Sequence, residues 1–492
     1  MEEKKETISQ AANVKETFET AKDLLDYVMN TEGNREQGQA IKAILTTKKH
    51  LFITGKAGCG KTTFMKRILP HIGPAAVVSP TGIAALNAGG VTIHSFFSFN
   101  LDPYAPIVED GKLKNVETCR LNKDKRGVIK RLKVLIIDEM SMVRPDLLDR
   151  IADTLRQVRG NSVDSFGGVR LIMFGDLCQL PPVVKDGDVL YDYYDSKYFF
   201  ASKSLRLAGF EVFEFKKVYR QRDESFVRIL NSIRDNTISD EELSDLNKRV
   251  GVLPSGDIEY VTICSTNTEA SAINLGRLVN IDSKSYFSKA EKWGDAPKDA
   301  MCEDVLEIKV GAQVLITKNG PGYVNGTVGV VSIIETNKKN DVTKIRVTIK
   351  DIDGKDVEVA LGRESWSKSV YLSTPSGIES EVVGEVIQFP VRLGYAITTH
   401  KSQGMSLDYA LVAMGNAFEG GQVYTALSRV RSLDGLYLKS EIKKEKIYID
   451  SELEDFMKKC KENNGKFEPV PIEELKTKCD KDSFIDFEAF GL

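Results

Sequence analysis

The chain has 492 residues, a formal net charge of −3, 41% hydrophobic and 28% charged residues, the composition of an ordinary globular protein with room for three or four domains. The longest apolar runs, VLIID and LIMF, fall far short of the ~20 residues that span a bilayer, so no membrane partner is expected. The negative balance argues against nucleic-acid binding through bulk charge but leaves room for a local basic channel.

The N-terminus MEEKKETISQ has no apolar core and predicts no secretory signal. Seven scattered cysteines without a C-x-x-C pair predict reduced thiols and an intracellular location: cytoplasm or nucleoid, nucleus or mitochondrion. In KETFETAKDLLDYVMN, residues 15–30, Phe18, Ala21, Leu24, Leu25 and Val28 recur at helical spacing and predict a docked helix. From about 31 to 210, the apolar runs HLFIT, AAVVS, VLIID and VRLIMFG alternate with helical segments, which predicts a parallel α/β sheet. Residues 100–124, with Pro103, Pro106 and Gly111, interrupt that pattern as an insertion. A second α/β pattern covers about 211–310 and resumes near 388. Between them, KIRVTIKDIDGKDVEVAL alternates around Asp353-Gly354 and predicts a hairpin within a small inserted β-barrel. The tail after 445 is charged and lysine-rich.

FITGKAGCGKTTF contains G-x-x-x-x-G-K-[ST] from Gly55 to Thr62, after an apolar strand and before a helical stretch. Glycines there let the backbone N–H groups of Gly58, Cys59, Gly60, Lys61, Thr62 and Thr63 converge on phosphate, with the helix N-terminus behind them. Lys61 is expected on the β and γ phosphates and Thr62 on Mg²⁺. In KVLIIDEMSM, Val134 to Ile137 form a strand that delivers Asp138 to the Mg²⁺ and Glu139 to the attacking water as general base. A third strand, VRLIMFGDLCQLPPV, ends at Asp176 and offers Gln179 as an uncharged sensor of the γ-phosphate. Arg220 in VYRQ and Arg429 in YTALSR offer guanidinium forks for the transferring charge, provided a second domain carries them to the cleft.

GVTIHSFFSF places His94 and Ser95 among Phe96, Phe97 and Phe99. Large rings are usually core residues, while flat rings also stack on bases. Those ten residues alone leave both readings open.

In order, EQGQA, GKAGCGKTT, SPTGIAALNAGGVTIHSFF, IIDEMSM, GDLCQLPP, VYRQ, YAITTHKSQGMSLDYALV and YTALSRVRSLDGLYL resemble the motifs of superfamily 1 helicases. The third motif, together with FVRILNSIRDN at 226–236, resembles the petite-integration-frequency (Pif) family of superfamily 1B. The resemblance implies two RecA-like domains, 31–98 with 125–210 and 211–310 with 388–445. It also implies a wedge inserted at 99–124 and an SH3-like β-barrel at 311–387, leaving an N-terminal helix, 1–30, and an extension, 446–492. It further implies ATP and Mg²⁺ as cofactors and a monomer in solution moving 5′→3′ on single-stranded DNA. Forked or tailed duplexes, RNA–DNA hybrids and G-quadruplex DNA would be unwound in repair, recombination, replication or telomere maintenance. Carried over by position, Gln37 meets the adenine and Gly404 the nucleotide edge, and Arg220 and Arg429 are arginine fingers. Thr81, Gly82, His94, Ser95 and one ring, Phe96, line the DNA path of the first domain, and Thr399, His400 and Lys401 that of the second.

The alternatives are a RecD-like subunit of a recombination nuclease, a P-loop phosphotransferase for a small molecule, and a non-catalytic DNA clamp. The adjacent Asp138-Glu139, two candidate fingers and a second α/β half weigh against the phosphotransferase, and the intact Glu139 against the clamp.

Overall fold

The computed structural model describes residues 18–100, 103–104, 108–109, 112–113, 121–184, 190–221, 223–252, 259–298, 300–351, 354–374, 377–414, 421–471 and 475. The apolar runs found in the sequence are the strands of a first sheet. They are β1 (His50–Gly55), β2 (Ala75–Ser79), β3 (Val91–Thr92), β4 (Val134–Ile137), β5 (Arg170–Gly175) and β6 (Phe210–Phe215). Residues such as Leu51, Phe52 and Ile53 are fully buried because helices cover both faces of the sheet, as in parallel sheets generally. A second sheet holds β7 (Val261–Cys264), β8 (Ala396–Thr398), β9 (Ala410–Ala413) and β10 (Leu436–Leu438), ordered β8-β7-β9-β10 and parallel throughout. A last strand, β11 (Lys466–Phe467), returns to the first sheet, which reads β11-β6-β1-β5-β4-β2-β3 and is parallel except at β11.

The β-rich region between β7 and β8 starts earlier and ends later than the expected 311–387. It begins with Ser285–Lys289, paired antiparallel to Val305–Lys309. It continues through a five-stranded antiparallel sheet that includes Gln313–Ile316 and Val391–Leu393. The expected hairpin is present, Val342–Lys350 against Asp356–Leu361; Asp353 of its turn lies outside the described residues. A longer hairpin, Glu364–Thr374 with Gly377–Gln388, lies beside it.

Two other boundaries also differ. Residues 211–215 are expected in the second domain, but Phe210–Phe215 pair with β1 along its length and belong to the first sheet. The N-terminal helix begins at Ala21, where Thr20 and Asp23 form a reciprocal cap, and continues as a π-helical turn over Tyr27–Thr31. Residues 1–17 lie outside the described residues, as does most of the expected wedge at 99–124. What is described of that insertion includes a short antiparallel pair, Val108–Glu109 with Lys112–Leu113. At its root, the Tyr104 N–H donates to Asp146 Oδ2 at 2.8 Å.

The C-terminal extension docks on the fold. Ile442 exchanges hydrogen bonds with Asn247 at 2.9 and 3.0 Å, beside the second sheet. The chain then crosses to the first half, where Tyr198 and Ser196 donate to Asp450 and Glu452, each at 2.8 Å. The helix Ser451–Glu462 lays Phe456 flat on Phe200, centroids 4.3 Å apart, and on Phe467 at 5.1 Å. No described helix is long and apolar enough to cross a membrane. Replacing Phe456 by alanine is expected to cost ~3 kcal/mol, the lower end for a large ring removed from a packed site. A urea titration would read it as an earlier transition of the first half.

Candidate nucleotide and nucleic-acid sites

Strands β1, β5 and β4 are adjacent and parallel, with Thr54 opposite Gly175 and Ile137 opposite Met173. Their carboxyl ends therefore lie side by side, where open α/β sheets bind ligands. The loop after β1 takes positive φ at Gly58 (77°) and Gly60 (82°), conformations that glycine adopts without strain. Gly60 caps the helix Lys61–Ile68 without a side-chain bond, so the first N–H groups of that helix are open to an anion. Lys61 Nζ folds back on the carbonyls of Gly55 (2.6 Å) and Lys56 (3.2 Å), and Cys59 is buried beneath the loop. Thr62 and Thr63 are exposed on the first turn.

Asp138 and Glu139 follow β4. Burial and the neighbouring Glu139 charge push the Asp138 carboxyl up to about 7, and burial also raises Glu139, against the opposing charges of Lys61 and Arg429. Glu139 sits at φ 54°, a left-handed conformation uncommon outside glycine and held here by its surroundings. After β5, Gln179 Nε2 donates to Asp176 Oδ2 at 3.3 Å. No group of three or more His, Cys, Asp or Glu side chains is placed to hold a metal ion among the described residues. Thr62 and Asp138 suit Mg²⁺, which keeps several waters and takes its remaining ligands from phosphate.

Arg220 was expected on the second domain. It instead follows the first sheet, its Cβ against Gly58, while the Tyr219 N–H donates to the Gly58 carbonyl at 2.9 Å. Arg429 comes from the second half, follows the helix Gln422–Leu427 and is 2% exposed. Its guanidinium donates to the Thr425 carbonyl (2.9 Å) and Ser428 Oγ (2.8 Å), and that of Arg220 to the Ser428 carbonyl (3.3 Å). Burial and the Arg429 charge push Arg220 down to about 9, and burial lowers Arg429 as well. Gln37 is buried beside Gly60 and Tyr219. Gly404, expected at the nucleotide edge, instead faces Asn87 across the junction of the halves.

Two residues with no sequence signal of their own complete the cleft. Tyr219, 46% exposed, lies over Gly60, with its hydroxyl accepting from Asn34 Nδ2 at 2.9 Å. Tyr424 reaches from the second half to the Ala57 N–H.

The expected DNA residues emerge at strand ends too. Thr81 caps the helix Gly82–Ala88 after β2, and His94 and Ser95 follow the neighbouring β3. His94 is half-buried, and burial with the charges of Arg150 and Arg144 lowers its pKa. Phe96 differs from expectation. It is 6% exposed, edge-on to Phe97 at 4.7 Å and to Tyr371 at 5.7 Å, so it has no open face for a base. Phe97 and Phe99 are buried as well, stacked 5.2 Å apart. Tyr371, on the long hairpin of the insertion, accepts the Val77 N–H at 3.0 Å. After β8, Thr399 is 2% exposed with its hydroxyl on the Cys264 carbonyl, which removes it from an open contact surface. His400 and Lys401 are partly exposed.

With this geometry in place, residues 32–244 match the family model described as PIF1-like helicase. The ATP-dependent DNA helicase Pif1 of Bdellovibrio bacteriovorus is 31% identical over 423 residues, 84% of this chain and 88% of that protein. The chain belongs to the PIF1-like helicase family. Membership makes it an ATP-dependent DNA helicase. The human ATP-dependent DNA helicase PIF1 is 32% identical across 82% of this chain, which spans 60% of the human protein's length. A Bacteroides Pif1 solved in complex with ADP-AlF4 superposes with a TM-score of 0.79 at 35% identity, over 88% of this chain and 97% of that one.

Lys61→Ala is expected to lower ATP turnover at least ~10²-fold, the scale on which a preorganised charge partner acts, while DNA binding without nucleotide persists. Single-stranded DNA affinity across a salt series separates the two DNA segments. Lys401→Ala should reduce the salt slope by ~0.7, one phosphate contact on a single strand. His94 is held neutral at pH 7, so His94→Ala should weaken binding by ~1–3 kcal/mol, the cost of one lost stacking contact, with the slope unchanged.

Proposed function

We propose that this PIF1-like helicase moves 5′→3′ along single-stranded DNA, with ATP and Mg²⁺ bound between two RecA-like halves. The observation that supports this reading is the meeting of Lys61, Glu139, Arg220 and Arg429 in one cleft, with residues of both sheets contributing. In the proposed cycle Gln37 reads the adenine, and Gly58, Cys59, Gly60, Lys61, Thr62 and Thr63 hold the phosphates. Thr62 and Asp138 hold Mg²⁺, Glu139 orients and deprotonates the attacking water, and Gln179 senses the γ-phosphate. Arg220 and Arg429 take up the charge that develops during transfer. Mg²⁺, when bound, neutralises phosphate charge; closure of the cleft excludes bulk water.

Two patches at strand ends would grip the strand: Thr81, Gly82, His94 and Ser95 on the first half, His400 and Lys401 on the second. A related Bacteroides Pif1 has been solved bound to single-stranded DNA, and a further related structure concerns DNA unwinding at forked duplex DNA by two coordinating Pif1 helicases. For this chain we propose forked and tailed duplexes, RNA–DNA hybrids and G-quadruplexes as substrates, inside the cell, in repair, recombination, replication or telomere maintenance. It would act as a monomer in solution. The insertion near 99–124 would serve as the wedge, and the antiparallel sheet between β7 and β8 as an SH3-like module.

Two measurements check this reading. Duplexes carrying only a 5′ tail should be unwound, and those carrying only a 3′ tail should not; the opposite preference refutes the polarity. Glu139→Gln should retain ATP and Mg²⁺ affinity while turnover falls ~10²–10⁴-fold, the usual contribution of a general base.

A further inference from the structure

The Asp176 carboxylate, at the end of β5, is buried and accepts from four sources. The Cys178 N–H (3.3 Å) and Arg234 Nε (3.3 Å) donate to Oδ1. Gln179 Nε2 (3.3 Å) and the Tyr424 hydroxyl (3.1 Å) both donate to Oδ2. The Tyr424 oxygen in turn accepts the N–H of Ala57, inside the phosphate loop, at 3.0 Å. One tyrosine of the second half therefore joins the phosphate loop to the same carboxylate oxygen that holds Gln179.

The contact is tight. The Gly421 backbone abuts the Gln179 carbonyl so closely that a Cβ there would lie 2.2 Å from it. The helix is also incompletely bonded in this arrangement: Gln422 Oε1 and Thr425 Oγ1 are buried without a hydrogen-bond partner among the described residues. Unpaired buried polar groups carry a free-energy cost that a shift of the interface can relieve.

We infer that Tyr424 is a positioning residue that reports the state of Gln179 to the second half. The inference rests on the proposed role of Gln179 at the γ-phosphate. A glutamine amide turned toward phosphate leaves Asp176 Oδ2 to Tyr424 alone. A hydrogen bond to an undivided carboxylate oxygen is the stronger one, so ATP tightens the link between the halves. After hydrolysis the amide returns to Oδ2 and competes, and the link weakens. Coupling between two sites needs such a difference in contacts between the two states.

The test is Tyr424→Phe in the full chain, which keeps the ring and its packing and removes only the hydroxyl. Steady-state ATPase with and without single-stranded DNA is measured beside thermal melting. The expected result is a KM for ATP within about twofold of the parent and a DNA-stimulated kcat lowered about tenfold, within the range usual for site-to-site coupling. The ratio of stimulated to basal turnover falls with it. A parent enzyme stimulated by DNA and a Tyr424→Phe variant stimulated equally would overturn the inference and leave the helicase reading intact. A lowered melting temperature with the stimulation ratio retained would assign Tyr424 to stability alone and overturn it as well. A parent with no DNA stimulation would remove the reading on which it rests.

Discussion

Two guanidinium groups, a buried Arg429 and a half-buried Arg220, lie without an ion-pair partner among the described residues and set the terms for this molecule. Arg220 and Arg429 give their hydrogen bonds to neutral oxygens, and burial depresses both. Opposite them, burial leaves Asp138 and Glu139 under-compensated in the other direction. Desolvating an unpaired ion costs several kcal/mol even after relaxation, so a fold built only for stability would bring these charges into contact. Here no such ion pair forms among the described residues. On the proposed reading, a polyphosphate with its metal would satisfy both sets, an anion for the arginines and a cation for the acids.

The sheet makes this separation possible. Parallel strands β1, β5 and β4 carry the phosphate loop, Asp176 and Asp138 to one edge, and their register fixes the spacing without any loop having to be long. The second half adds Arg429 and Tyr424 from a single short helix and its exit. The C-terminal extension crosses from Ile442 to the edge of the first sheet, so the halves are joined at the tail as well as at the cleft.

Much of the nucleotide cleft was legible because each of its parts is contiguous in the sequence: a glycine loop after a strand, two acids after another, a glutamine after a third. What stayed hidden depends on approach between distant segments. Tyr424 and Ala57 are 367 positions apart, and Tyr371 and Val77 are 294 apart. Within YTALSR only the arginine carried a signal, since a tyrosine there reads equally well as core. Domain edges failed for a similar reason. FEVFEF at 210–215 has a pattern that suits either sheet, and only its pairing with β1 assigns it. Thr399 joins the DNA path by the resemblance alone, but the turn after β8 directs its hydroxyl to the Cys264 carbonyl.

The phenylalanines around His94 fix how the proposed grip on DNA is mounted. All three rings are buried, and Thr92 caps the short helix that carries His94 and Ser95. The segment is therefore packed into the first half and cannot swing independently of it. Thr399 anchors the opposing segment to the second sheet through Cys264 in the same way. Close-packed interiors shift between discrete arrangements and do not stretch. On the proposed reading, the distance between the two grips then changes only when the halves themselves move. The cleft proposed to hold the phosphates lies at that same junction. Closing it displaces His94 and Lys401 relative to each other as parts of two rigid bodies, and a strand held at both points must be pulled through one of them.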